Sequence, residues 1–228
     1  VEVERIINER RSHLQQLIDS LEPANMRHLV HPIFRISHDV ARETAQVAVL
    51  DRADLILVGW HRPAFSKNRL GGRVGKILST APVDVAVFVD RGKEQLETLL
   101  VAYSANFHDD LGLEIAIRLI CNNETRHLTV LQVIQQDQAK SEFSDEFRLV
   151  MEKLPDTARD RIHSKIVEAP NPIQAVVEAF QTVDLTIAGT SRAWGIERQT
   201  LGQYTDELAA HCHSSLLITR RHSQVTSH

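Results

Sequence analysis

The chain has 228 residues, of which 43% are hydrophobic and 25% charged, with a formal net charge of −4. This composition allows a packed core, carries no basic excess for nucleic acid, and contains apolar runs of strand length only, too short to span a membrane. Residues 3–21 place Val3, Ile6, Ile7, Leu14, Leu17, Ile18 and Leu21 among charges, which predicts an amphipathic helix rather than a signal peptide. Pro23 and Asn25 end it. Residues 27–36 (RHLVHPIFRI) read as a strand, with Pro32 marking an edge or a bulge. Ser37 or Asp39 caps a helix that runs through Ala53. Leu55–Val58 is a short run of branched residues, the pattern of a strand covered on both faces, and it stops at Gly59. Gly71-Gly72 then opens a helix, and Val85–Val89 forms the next strand. Position 1 is not Met, and we read the chain as a piece of a longer polypeptide. Cys121 and Cys212 are far apart in apolar stretches and read as reduced, cytosolic thiols.

The second half is longer. Strands are predicted at 98–103, 128–134 and 161–167. Helices are predicted from a cap at Asp109 or Asp110 to Cys121, over 143–154, and from Pro172 through Val183. A strand, loop, helix and strand then close the chain. The stretch Asp184-Leu-Thr-Ile-Ala-Gly-Thr-Ser-Arg192 repeats Asp54-Leu-Ile-Leu-Val-Gly-Trp-His-Arg62 at an offset of 130 residues. Read without a gap, that offset also pairs Gly72/Gly202, Leu78/Leu208 and Arg91/Arg221 as identities. Two tandem units follow, 1–92 and 93–228. The second alternates strand and helix throughout, which implies a doubly wound parallel five-stranded α/β sheet. The first lacks the opening β-α-β, and we expect those elements upstream in the parent chain.

The second unit resembles a universal stress protein domain, a fold of the HUP type. That family carries a Gly, a second Gly three residues on, a third after nine more, then Ser or Thr, between its fourth strand and helix. Gly59 and Gly72, and Gly189 and Gly202, hold the first and third glycine positions at that spacing. Arg62 and Arg192 replace the middle glycine, Arg73 and Gln203 replace the hydroxyl residue, and Ser104 stands where ATP-binding members carry Asp. The segments LVGWHR (57–62), LGG (70–72), DVAVFVDRG (84–92) and FHDDLGLE (107–114) also resemble the tandem stress-protein-like tail of bacterial cation:proton antiporters. The resemblance implies a cytoplasmic regulatory module at the inner face of the plasma membrane. Its expected partners are the antiporter's membrane domain and a second copy in a homodimer.

The residues suggest where a ligand would sit. Arg62, Arg73 and Arg192 stand where a phosphate approaches a helix N-terminus, and a guanidinium grips phosphate through two donors; tying down a loop is the plainer role. Trp60 and His61 offer stacking surface for a base, or packing against the domain. A nucleotide (ATP, ADP, AMP or a cyclic dinucleotide) would set its phosphates between Gly189, Thr190, Ser191, Arg192 and Gly202–Gln203. Its base would point toward Ser104 and Val133. In the first unit Gly59, Trp60, His61, Arg62, Gly72 and Arg73 would make the matching set. His211-Cys212-His213 lacks a fourth ligand for zinc, so no metal is expected. Ser104 and Ser191 have no nucleophile elbow or evident base, and Asp109-Asp110 with Glu114 reads as an ordinary acidic helix start. The expected function is therefore nucleotide sensing without catalysis. The alternatives are a stand-alone stress protein acting as a dimerisation scaffold, or a nucleotide hydrolase.

Overall fold

The computed structural model of the chain describes residues 2–21, 24–60, 72–134, 142–190, 211 and 213–222. The first half runs α1 (Glu2–Asp19), a 3-10 turn (Ala24–Leu29), α2 (Val40–Leu50), β1 (Leu55–Gly59), α3 (Gly72–Thr80) and β2 (Asp84–Val89). The second half runs β3 (Thr98–Ala102), α4 (Phe107–Cys121), β4 (His127–Ile134), α5 (Asp145–Glu152), α6 (Asp156–Arg159), β5 (Ile162–Glu168), α7 (Pro172–Phe180), β6 (Leu185–Gly189) and β7 (Ser215–Arg220).

Helix starts are set by short polar side chains that satisfy the first backbone N–H groups. Asp39 accepts from Arg42 N at the start of α2. Ser144 caps α5, and Asn171 caps α7 ahead of Pro172. The cap of α4 is Asn106, whose side-chain oxygen accepts from His108 N and Asp109 N, and not Asp109 or Asp110 as the sequence pattern suggests. This frees the Asp109 carboxylate for another task.

The seven strands among the described residues join one sheet in the order β1-β2-β7-β6-β3-β4-β5. The second half contributes five parallel strands, the doubly wound arrangement read from the alternation of elements. The first half adds the parallel pair β1–β2. The halves meet through their last strands, β2 and β7, which run antiparallel with Val87 opposite Ile218. Both residues are fully buried. One face of the sheet is covered by α2, α3 and α7, through Ala41, Ala48, Val74, Ile77, Leu78 and Val176. The other is covered by α4 and α5 over the second half, through Leu113, Ala116, Ile120 and Phe147. Gly112 lets α4 lie close to the sheet, since a Cβ there would meet Ile187 Cγ2 at 3.0 Å.

Strand pairing corrects the repeat. Leu55 sits beside Asp84, but Leu185 sits beside Ser215. The equivalent of Asp84 is therefore Ser215, and the offset grows from 130 to 131 across the repeat. The shift matters because one residue of slip reverses the face of every side chain. With it, Leu216 and Ile218 share a face with Val85 and Val87. The pair Val87–Ile218 then lies on a local twofold axis relating the two last strands. The identity Arg91/Arg221 is thus not a structural equivalence. Arg221 closes the seam instead: it pairs with Glu114 at 2.7 Å, lies over the Phe107 ring, and its backbone N–H donates to His108 Nδ1. Nearby, the His222 N–H donates to Asp84, and the Arg220 guanidinium donates to Leu78 O.

Two other expectations differ. Residues 27–36 form no strand; the 3-10 turn takes their first part and the rest pairs with no ladder. Their counterpart β5 is held only by β4, and the first half has no β4 among the described residues. Cys121 is exposed at the last position of α4 rather than enclosed by apolar residues.

Asp184 opens β6 and grips the start of β3. Its carboxylate accepts from Thr98 N at 2.9 Å, Thr98 Oγ1 at 2.8 Å and Glu97 N at 3.1 Å. Burial alone would raise its pKa, but these donors outweigh it and hold the acid below the usual carboxylate value. Asp184→Ala is expected to cost about 1–3 kcal/mol in urea denaturation, since it strands strand-end donors. Unchanged stability would show that the clasp contributes nothing.

Candidate functional site

An open parallel sheet binds ligands where neighbouring connections diverge, beyond the carboxyl ends of its strands. In the second half this crevice lies between β3 and β6, since β4 lies on one side of β3 and β6 on the other. Gly189 ends β6, and Ser104 follows β3. The structure brings these two together on one side chain, Asp109.

Asp109 is buried at the first turn of α4. One carboxylate oxygen accepts from Ser104 N at 2.8 Å, Ser104 Oγ at 2.7 Å and Asn106 Nδ2 at 2.7 Å. The other accepts from Gly189 N at 2.9 Å. Burial pushes the Asp109 pKa above the usual carboxylate value, against the donors that favour the ionised form. Convergent N–H and O–H donors at a helix start are what an anion requires. Here the anion is the chain's own carboxylate. A Cβ on Gly189 would approach Asp109 N and His108 C to 2.7 Å, so this position admits glycine alone without a backbone shift.

The sequence pattern missed Asp109 as a hub, because an acid at a helix start is ordinary. The signal that marks it is its combination with Ser104, Asn106 and Gly189, three small polar or flexible residues aimed at one point.

The remaining expected site residues fall into two groups. Thr190 is buried and its N–H donates to Thr219 O. Val133 lies on β4 beside Val167, partly buried against the helical layer. Ser191, Arg192, Gly202 and Gln203 lie outside the described residues, as do His61 and Arg62. In the first half Gly59 ends β1 and is exposed. The Trp60 N–H donates to Phe88 O at 2.8 Å, and its side chain packs against the core of α2 and α3. Trp60 thus serves as packing, and its indole N–H is buried without a hydrogen-bond partner among the described residues. Gly72 and Arg73 start α3 in open space, both exposed.

The two groups are far apart. Because β2 and β7 run antiparallel, the carboxyl ends of β1 and β6 lie at opposite ends of the sheet. Each half therefore presents its crevice in the opposite direction, and no single small ligand spans both. Among the described residues, no group of three His, Cys, Asp or Glu side chains is placed to hold a metal ion.

Beside the Asp109 cluster, a 420 Å³ groove runs between α4 and α5, lined by Tyr103, Asp110, Leu113, Ile117, Phe147 and Val150. The Tyr103 hydroxyl donates to Asp110 at 3.0 Å. Burial, with the negative Asp110 beside it, pushes this phenol up to about 12. Tyr103, Phe143 and Phe147 form an aromatic cluster that ties α5 to the end of β3.

No family model and no curated protein matches the sequence. Solved structures do match the fold. A universal stress protein from Archaeoglobus fulgidus aligns over 96% of this chain and 78% of its own, at 17% identity and a TM-score of 0.66. A putative universal stress protein from Pseudomonas aeruginosa aligns over 91% of this chain and 77% of its own, at 14% identity and a TM-score of 0.56. A functionally unknown protein from the same species aligns over 91% and 76%, at 14% identity and a TM-score of 0.55. The chain has the universal stress protein fold. Among the described residues no helix is long and apolar enough to cross a membrane.

Proposed function

We propose that this protein is a non-catalytic, nucleotide-sensing module that regulates a cation:proton antiporter from the cytoplasmic side. The observation that carries the ligand reading is the convergence of Ser104 and Gly189 on Asp109 at the crevice between β3 and β6. It supports a ligand cleft walled by the ends of these two strands. It also narrows the reading. The Gly189 N–H is engaged by Asp109, so the phosphates of an adenine nucleotide fall to the following segment, 190–203, with Arg192 as the cationic contact. The base lies toward Ser104 and Val133. Ser104 donates both its N–H and its hydroxyl to a buried carboxylate, which supports the non-catalytic reading. The antiporter partner rests on the resemblance of 57–62, 70–72, 84–92 and 107–114 to such tails.

Calorimetry with AMP, ADP, ATP and cyclic dinucleotides tests the ligand. At least one is expected to bind. A hydrogen bond to a charged group contributes roughly 1.5–3 kcal/mol, so Arg192→Ala should weaken that binding about ten- to a hundredfold. No heat with any of the four classes would end the nucleotide reading and leave a scaffold role.

A further inference from the structure

The two halves share a repeat, yet the sheet treats them differently. In the second half β6 is flanked by β7 and by β3, with Leu99 beside Leu185 and Val101 beside Ile187. In the first half the equivalent strand, β1, has β2 on one side and ends the sheet on the other among the described residues. The same contrast shows on the face. Leu185 and Ile187 lie beneath α4 at 3% and 0% exposure, whereas their counterparts Leu55 and Leu57 are 38% and 65% exposed. An apolar strand edge left open is a template for another strand.

Three further features point to the same place. Asp184 clasps the start of β3, but its repeat counterpart Asp54 is exposed and makes no hydrogen bond among the described residues. Residues 30–36, which correspond to β5, lean on α2 through an Arg35–Glu43 ion pair of 3.1 Å instead of joining a ladder. Between them and β1 lies a 450 Å³ cleft lined by Ile33, Val40, Val47, Ala53, Leu55 and Ile56. Last, α1 precedes residues 30–36 as α5 precedes β5, yet Val3, Ile6 and Leu17 are exposed on it.

We propose that the β1 edge and this cleft form a docking site for a strand–helix–strand polypeptide segment from outside residues 1–228. Its first strand runs parallel to β1 in the register of β3 on β6, continuing the β1–β2 ladder. It carries apolar side chains on both faces and opens on a Thr or Ser whose N–H and hydroxyl meet Asp54. Its helix covers Leu55 and Leu57 as α4 covers Leu185 and Ile187. Its second strand lies between the first and residues 30–36 and gives α1 a surface to pack on. A second copy of this chain does not meet the requirement, because twofold pairing of two β1 edges is antiparallel.

The test joins a copy of residues 96–134, the strand–helix–strand that fills this place in the second half, ahead of Val1 through a flexible linker. Hydrogen exchange is then read at the amides of β1. In the unfused chain they are expected to exchange far faster than those of β6. In the fusion they should slow by at least about tenfold, and Asp54→Ala or Leu57→Glu should reverse much of that protection. Unchanged β1 exchange in the fusion overturns the proposal. So does a dimer of the unfused chain by light scattering that Leu57→Glu dissociates, which would assign the edge to a second copy. A control keeps the test independent of the fusion's folding: Leu57→Glu in the unfused chain should leave Tm within about 2 °C of the parent. A much larger fall would mean that Leu57 is already packed, and would equally overturn the proposal.

Discussion

Gly189→Ala is expected to lower stability by about 3 kcal/mol, roughly 10 °C in Tm for a chain of this size. The added Cβ meets the Asp109 carboxylate and, behind it, backbone that cannot swing aside, Asp109 N and His108 C at 2.7 Å. Relief requires α4 to move away from β6, which also pulls the carboxylate off the Gly189 N–H. Asp109→Ala attacks the same cluster from the other side. It leaves the donors of Ser104, Asn106 and Gly189 unmet in a buried place, and is expected to cost about 3–5 kcal/mol. Gly72→Ala is the internal control, since a Cβ there meets nothing within 4 Å and alanine favours the helix it begins. Denaturation of the three variants should show two large losses and no loss. A Gly189→Ala chain as stable as the parent would mean that the carboxylate is not seated as described.

Val87→Lys is the second large effect. Val87 has no exposure and pairs with Ile218 at the centre of the antiparallel seam. An ammonium held there has no described carboxylate to pair with, and burial of an unpaired charge costs several kcal/mol, so a loss of about 4 kcal/mol or more is expected. Because this is the one ladder among the described residues that joins β1–β2 to the other strands, the first half should become sensitive to protease while the five-stranded half persists. Leu217→Lys, beside Phe88 under the opposite helical layer, should destabilise the seam in the same sense. Intact protease resistance and unchanged denaturation in both variants would refute the seam.

Much of this fold was legible because its strands announce themselves. Leu55–Gly59, Asp84–Val89 and Leu185–Gly189 are short branched runs, each bounded by an acid, a glycine or another turn signal. The pairing of last strands also follows from their apolar edges, which need a neighbour. What was not legible depends on contacts remote in sequence. Residues 27–36 have the composition of a strand, but composition does not supply the missing ladder partner. The offset of 131 at β7 hides behind the identity Arg91/Arg221 and appears only when neighbours are compared. Trp60 looks like a stacking surface until its backbone is tied to Phe88 and its ring laid on the core. Asp109 looks like a helix-start acid until Asn106 takes over the capping.

The seam also has a consequence for synthesis. β2 closes at residue 89, but the strand that seals its free edge begins at residue 215 and is the last element among the described residues. At ribosomal rates of about 5–20 residues per second, the nascent β2 waits on the order of ten seconds before β7 emerges. Through that interval Val85, Val87 and Val89 belong to an open apolar ladder, the arrangement most prone to pair with a neighbouring chain. A premature stop anywhere before residue 215 makes that exposure permanent.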